Sequence, residues 1–275
     1  MMIRSEPIDF RPLVRGVLAL AVCSSLALAQ SWEMRVCADP DNLPNSHRTL
    51  QGFDNRILAL LAQDLKAKLT YVWWPQGPSI IKDQLRQGNC DVVVGVGESY
   101  RGVLSTLAYY QSTYVFVYRA DSPYKIVSVD DEVLKTLRIA IETPGTPPFA
   151  SLVNRGLSQG AMILEPIDPN NTSSSPMLEA VSANKVDVAI LWGPVAAYFA
   201  KRQPVKMTIT PVSPEFEPPA LSMVYAITLG VRVGDEAFKD RLNRAITRRW
   251  DQIQAILKEF GVPQIPLPKP VLEVK

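Results

Sequence analysis

Five aromatic side chains and three carboxylates carry most of the chemistry this sequence offers. Asp39, Glu98 and Glu142 each follow an apolar run and stand where a strand hands over to a loop. In an open α/β sheet that is where a side chain meets a ligand. Each of the three is isolated, and no nucleophile has an adjacent base, so the pattern argues against catalysis. His47 is the only histidine, and no cysteine or carboxylate cluster has ligand spacing, so neither a metal nor a cofactor is expected. Trp73, Trp74, Tyr109, Tyr110 and Trp192 offer something else: stacking against an apolar or planar guest, or against an inserted segment of another protein.

The element that must position Glu98 is the stretch 85–98, LRQGNCDVVVGVGE. Gly88 and Asn89 break a helix pattern. Asp91 then opens a β-branched run, Val92 to Val94, that lacks the alternation of a half-solvated strand and suits a parallel strand covered on both faces. Gly95 and Gly97 end the run and make its turn a natural cleft wall. A partial echo lies near residue 190 in NKVDVAILWGP, where Asp187 precedes Val188 to Leu191 and then Trp192, Gly193 and Pro194. Chance produces such echoes, but two strands of one type so far apart also suggest two similar α/β lobes.

The rest of the chain fits that division. The spacing predicts a first strand at 34–38, a helix over 57–65 with Asp54 as its N-cap, a second strand at 69–74, and a second helix around Ile80 and Leu85. YYQSTYVFVY at 109–118 reads as extended. A second unit of the same β, α, β, α, β order follows, closing on the strand after Asp187. An extended stretch at 221–228 and a long amphipathic helix at 235–260 complete the chain, followed by a proline-rich tail that cannot continue a helix. The expected architecture is a two-lobed α/β fold with two extended crossovers: lobe 1 at 30–118 and 222–275, lobe 2 at 119–221. Such a topology permits hinge closure around a guest.

Residues 1–29 read as an export signal. Arg4, Arg11 and Arg15 precede an apolar stretch too short to span a bilayer, and the small residues at 27–29 suit cleavage after Ala29. Cys23 suggests a lipid anchor, but Val22 is larger than such a site wants, so the expectation is a soluble periplasmic protein. Without its signal the chain keeps 26 of 29 basic and 25 of 27 acidic residues, a balance that gives no argument for nucleic acid or for an anionic membrane. Arg241, Arg244, Arg248 and Arg249 read as a solvated helix face. Cys37 and Cys90 pose a conflict: an oxidising compartment favours pairing them, whereas their expected offset along neighbouring strands, at about 3.3 Å per residue, exceeds the reach of a bridge.

An export signal followed by GFDNRILALLAQDL, GNCDVVVG, a YY-containing crossover, KVDVAILWGP and MVYAITLGVR resembles a type II periplasmic solute-binding protein over the whole mature chain. RVCADPDNLP, TYVWWPQ, CDVVVGV, YYQSTYVFVYR, TPPF and VDVAILWGPVAAYFA are similar to one branch, the MoxJ-type proteins associated with PQQ-dependent methanol and alcohol dehydrogenases. That resemblance implies a non-catalytic accessory or assembly factor whose partner is a periplasmic quinoprotein dehydrogenase or its c-type cytochrome. A transport receptor for a small solute is the alternative. Amino-acid-binding relatives grip the ligand carboxylate with an Arg about ten residues before the crossover Tyr. Here that count reaches Ser99, with Arg101 two places away. Their second anchor, an Asp after the second lobe's strand, is replaced by Trp192, which makes an α-amino acid a poor guest because its ammonium would be desolvated without compensation. The expected cleft comprises Asp39, Asn42, Trp74, Gly97, Glu98, Arg101, Tyr109, Tyr110, Thr143 and Trp192, with largely aromatic and neutral walls.

Overall fold

The computed structural model describes Met2 and residues 32–168 and 171–271; the export signal, its cleavage after Ala29, and Pro169 and Asn170 of the polar loop lie outside the described residues. The elements are β1 (Glu33–Ala38), α1 (Phe53–Leu65), β2 (Lys68–Trp73), β3 (Val92–Gly97), β4 (Tyr110–Arg119), β5 (Ile139–Ile141), α2 (Pro147–Asn154), β6 (Met162–Ile163), α3 (Pro176–Ser182), β7 (Val188–Trp192), α4 (Gly193–Ala200), β8 (Met207–Pro211), β9 (Val224–Val231) and α5 (Glu236–Phe260). The helix expected around Ile80 and Leu85 is instead a π-helical turn, Ile80–Leu85, closed by the Arg86 N–H donating to the Ile81 carbonyl at 3.0 Å.

One sheet passes through both lobes in the order β2-β1-β3-β9-β4-β7-β5-β6. In the first lobe β2, β1 and β3 run parallel and β9 is antiparallel to β3. In the second, β7, β5 and β6 run parallel and β4 is antiparallel to β7. β4 serves both: Tyr110 to Thr113 pair with β9, and Tyr114 to Tyr118 pair with β7. β4 and β9 are thus the two extended crossovers of a two-lobed fold. On one face of the first lobe, Phe53, Ile57, Leu58 and Leu61 of α1 pack with Leu242, Ile246, Trp250 and Ile253 of α5 over β1 and β3. The second lobe has separate cores on either face of its strands.

The sequence echo has a physical basis. Asp91 accepts the Arg35 backbone N–H at 3.0 Å and takes that residue's guanidinium in two further bonds, at 3.1 and 2.6 Å. Asp187 does the same to Arg138, at 2.8, 3.0 and 2.7 Å. Each aspartate therefore joins the start of one parallel strand to the start of its neighbour through a bidentate, charge-assisted clamp.

Three local expectations are corrected. Cys37 and Cys90 are disulfide-bonded, with Cα atoms 5.7 Å apart. Cys37 does lie opposite Val93, but residues 87–91 form turns and bends rather than continuing down the strand axis, and the Asp91 N–H donates to the Arg35 carbonyl at 2.8 Å. Cys90 is thereby folded back beside β1 instead of lying a strand-length below. Asp54 is not the N-cap of α1. The helix begins two residues earlier, at Phe53, behind Gly52, and the Asn55 Oδ1 accepts the Gly52 N–H at 3.1 Å in the capping role. Gly52 has no room for a side chain, since a Cβ there would sit 2.1 Å from the Asn45 carbonyl oxygen. The basic face of α5 is only partly solvated: Arg248 and Arg249 both bind Asp64 of α1, and the Arg241 guanidinium lies 4.2 Å from the Trp32 ring centroid.

Candidate functional site

The loops that leave β1 and β2 build the first wall of the interlobe cleft. Asp39 ties them together, its carboxylate accepting the N–H of Asp41 at 2.8 Å and that of Gln76 at 2.6 Å. The Ser46 hydroxyl donates to the Asp39 carbonyl at 2.7 Å, and the Asn45 amide donates to the Asn42 Oδ1 at 3.2 Å. Asn42, Asn45, Ser46 and Gln76 are thus held as a polar rim. Behind them, β3 contributes Val94 and Gly95, and β4 and β9 contribute Tyr110 and Ile227. The second lobe supplies Glu142, Pro166, Ile167, Trp192 and Val195, and the cavity volume is about 250 Å³.

Two carboxyl groups face this volume from opposite lobes. Asp54, at the start of α1, is 2% exposed. Its Oδ1 accepts the Tyr109 hydroxyl at 2.9 Å, and its Oδ2 has no hydrogen-bond partner among the described residues. Burial pushes its pKa up to about 7, partly opposed by the Tyr109 bond. Glu142 follows β5 and accepts the Trp192 N–H at 3.0 Å; burial raises it to about 7 as well, again partly offset by that bond. No Lys, Arg or His is among the described residues that line the cavity. A guest entering here meets hydrogen-bond acceptors and latent negative charge.

Trp192 sits where the crossovers meet. Its ring makes edge contacts with Tyr114 of β4, at 5.3 Å between centroids, and with Tyr225 of β9, at 6.1 Å. Tyr225 also helps line a second, more open hollow of about 500 Å³ with Gly97, Glu98, Ser99 and Tyr100.

The structure divides the ten expected cleft residues into groups. Asn42, Tyr110 and Trp192 line the interlobe cavity, Asp39 braces its rim, and Tyr109 lies fully buried behind it as the partner of Asp54. Gly97 and Glu98 line the second hollow. Trp74 packs beside the disulfide cluster, its indole N–H donating to the Ser79 hydroxyl at 3.0 Å. Arg101 and Thr143 are exposed and outside the cavity lining. The cavity is therefore less neutral than its aromatic residues suggest. Glu142 was visible as a carboxylate directly after a strand, whereas Asp54 was hidden by its position at a helix start, where the same residue type commonly caps.

The model for bacterial extracellular solute-binding proteins, family 3, matches residues 34–262. Protein MoxJ of Methylorubrum extorquens is 30% identical over 263 residues, covering 90% of this chain and 87% of the relative. Among solved structures, the periplasmic binding protein XoxJ from Methylobacterium extorquens AM1 superposes with a TM-score of 0.71 at 32% identity, covering 85% of this chain and all of that one. MxaJ from Methlophaga aminisulfidivorans superposes with a TM-score of 0.76 at 24% identity over 84% of this chain, a likeness of fold. No helix among the described residues is long and apolar enough to cross a membrane. With a family match that runs from β1 to the end of α5 and a cavity enclosed between two lobes, the chain belongs to the family 3 bacterial extracellular solute-binding proteins.

Proposed function

We propose that this protein is a non-catalytic periplasmic binding protein that serves a PQQ-dependent alcohol dehydrogenase, as an accessory or assembly factor gripping part of that enzyme or of its c-type cytochrome between its lobes. The reading takes 30–118 with 222–275 as one jaw and 119–221 as the other. The observation that carries it is the similarity to MoxJ and XoxJ, which extends over nearly the whole chain instead of the fold elements alone. The cavity chemistry supports it, because a pocket without Arg or Lys offers no counter-ion for the carboxylate of a free amino acid. The test is affinity capture from periplasmic extract at low salt with the tagged mature protein as bait. Retention of the quinoprotein dehydrogenase or its cytochrome is expected, and retention of neither, with both present in the input, overturns the proposal.

A transport receptor for a small solute is the second reading. The cavity of about 250 Å³ favours it, since that volume suits a guest of a few heavy atoms. Nanomolar to micromolar binding of such a solute, with a matching rise in melting temperature, would support it.

A further inference from the structure

We propose that the interlobe cavity receives an ammonium group, with Asp54 and Glu142 as anionic walls contributed by opposite lobes. The inference rests on the cleft being the binding site, and not on which enzyme the protein serves. Asp54 is the central observation: the residue is 2% exposed and lines the cavity, and its buried Oδ2 has no donor among the described residues. A buried carboxylate oxygen without a donor is destabilising. In the ionised form that prevails at pH 8, that oxygen can only accept, so the group that meets it is a donor. Glu142 adds a second acceptor from the other lobe, only one of its oxygens being engaged, by the Trp192 N–H. Trp192 and Tyr110 lie on the same lining, and aromatic rings beside the acids favour a cation over a neutral donor.

Among the described residues, the titratable groups seen to act on the two acids are acidic or phenolic. Tyr71 of β2, Tyr109 and Tyr110 interact with Asp54, and Glu165 and Tyr114 with Glu142. A guest carrying its own carboxylate would therefore be repelled, which separates a simple amine from an amino acid. The ammonium can come from a free small amine or from a lysine side chain on an inserted protein segment. Both share one chemistry, and both are charged well above neutral pH.

The test is titration calorimetry of the mature protein with propylamine and with N-acetyl-lysine methylamide, using propanol and alanine as uncharged and zwitterionic controls. At pH 8 one or both amines are expected to bind, and neither control. Because a buried carboxyl near 7 is mostly protonated at pH 5.5, the amine should bind at least about thirtyfold more weakly there, the fall in the ionised fraction of one of the two acids. Asp54→Asn and Glu142→Gln should each weaken binding about tenfold or more. Glu142 is only half-buried, so its variant keeps the test open if Asp54→Asn fails to fold. Propylamine binding more tightly supports a free solute as the source of the ammonium; the blocked lysine binding more tightly supports a protein segment. Absence of amine binding at pH 8, equal binding of propanol, or binding unmoved by Glu142→Gln overturns the proposal. Failure of the affinity capture alone leaves it standing.

Discussion

At the scale of single residues Asp54, with Glu142 acting in the same direction, sets how stability responds to pH. Its folded pKa of about 7 lies above the ordinary 3.8, so between those values the folded chain holds a proton that the unfolded chain has lost. Stability falls as pH rises through that window, and the full cost is present above about 7. At about 1.4 kcal/mol per pH unit across that window, the cost is at most about 4 kcal/mol. Asp64 and Asp187, held below the ordinary carboxylate range by their arginine partners, act oppositely, and their contribution is lost only in acid below about pH 4. Urea unfolding should therefore show greater stability at pH 5.5 than at pH 8. Asp54→Asn, which can still accept the Tyr109 hydroxyl, should be more stable than the native chain at pH 8 and lose less between the two pH values. An unchanged pH dependence in that variant would show that Asp54 is ionised throughout. None of this was legible in the sequence. An acid two residues from a glycine at a helix start reads as a cap, and only the inward turn of the side chain against Tyr109 makes it otherwise.

Elements were far more legible than contacts. The β-branched runs after Asp91 and Asp187 marked the central parallel strand of each lobe because burial on both faces removes alternation, and the amphipathic period of 235–260 marked α5 for the converse reason. The echo carried more than a strand signal. Each aspartate pins the first residues of two neighbouring strands, so Asp91→Ala and Asp187→Ala should each lower stability by about 1–3 kcal/mol, since each leaves a backbone donor and a guanidinium unmatched. Equal urea midpoints for native and variant chains would reduce the clamps to surface pairs. Cysteine pairing was illegible because it depends on a turn: a straight extrapolation of the strand separates Cys37 from Cys90, and the bend at 87–91 restores contact. The bridge closes a loop of sequence separation 53, for which the chain-entropy relation gives about 4 kcal/mol. Unfolding of the Cys37→Ala, Cys90→Ala double variant should show a loss of that order, and a loss below about 1 kcal/mol would mean that the reduced, unfolded chain is already compact there.

At the scale of the whole molecule, what matters is how two lobes share one sheet while still enclosing a cavity. β4 changes partners between Thr113 and Tyr114, and at that point α4 of the second lobe presses on it: a Cβ at Gly193 would lie 2.6 Å from the Thr113 carbonyl oxygen and 3.3 Å from the Pro263 ring. The tail after α5 seals the same place, with the Ser112 hydroxyl donating to the Pro263 carbonyl and the Ile265 N–H donating to the Gln111 carbonyl at 3.0 Å. Gly193 therefore sets how closely the second lobe approaches the crossover, and it follows Trp192, which lines the cavity. A methyl group there cannot be absorbed by a flexible side chain, because the nearest atom belongs to a backbone that is itself paired into the sheet. Gly193→Ala should destabilise by about 1–3 kcal/mol through overpacking and displace Trp192 from its contacts with Tyr114 and Tyr225. Gly160→Ala, where a Cβ meets nothing within 4 Å, is the control for a glycine change without a close approach. Urea midpoints separate the two, with tryptophan fluorescence reporting on the ring environment. Coincident midpoints for Gly193→Ala and Gly160→Ala would mean that the lobes yield at this junction, and that the aromatic contacts around Trp192, not the backbone at Gly193, fix their spacing.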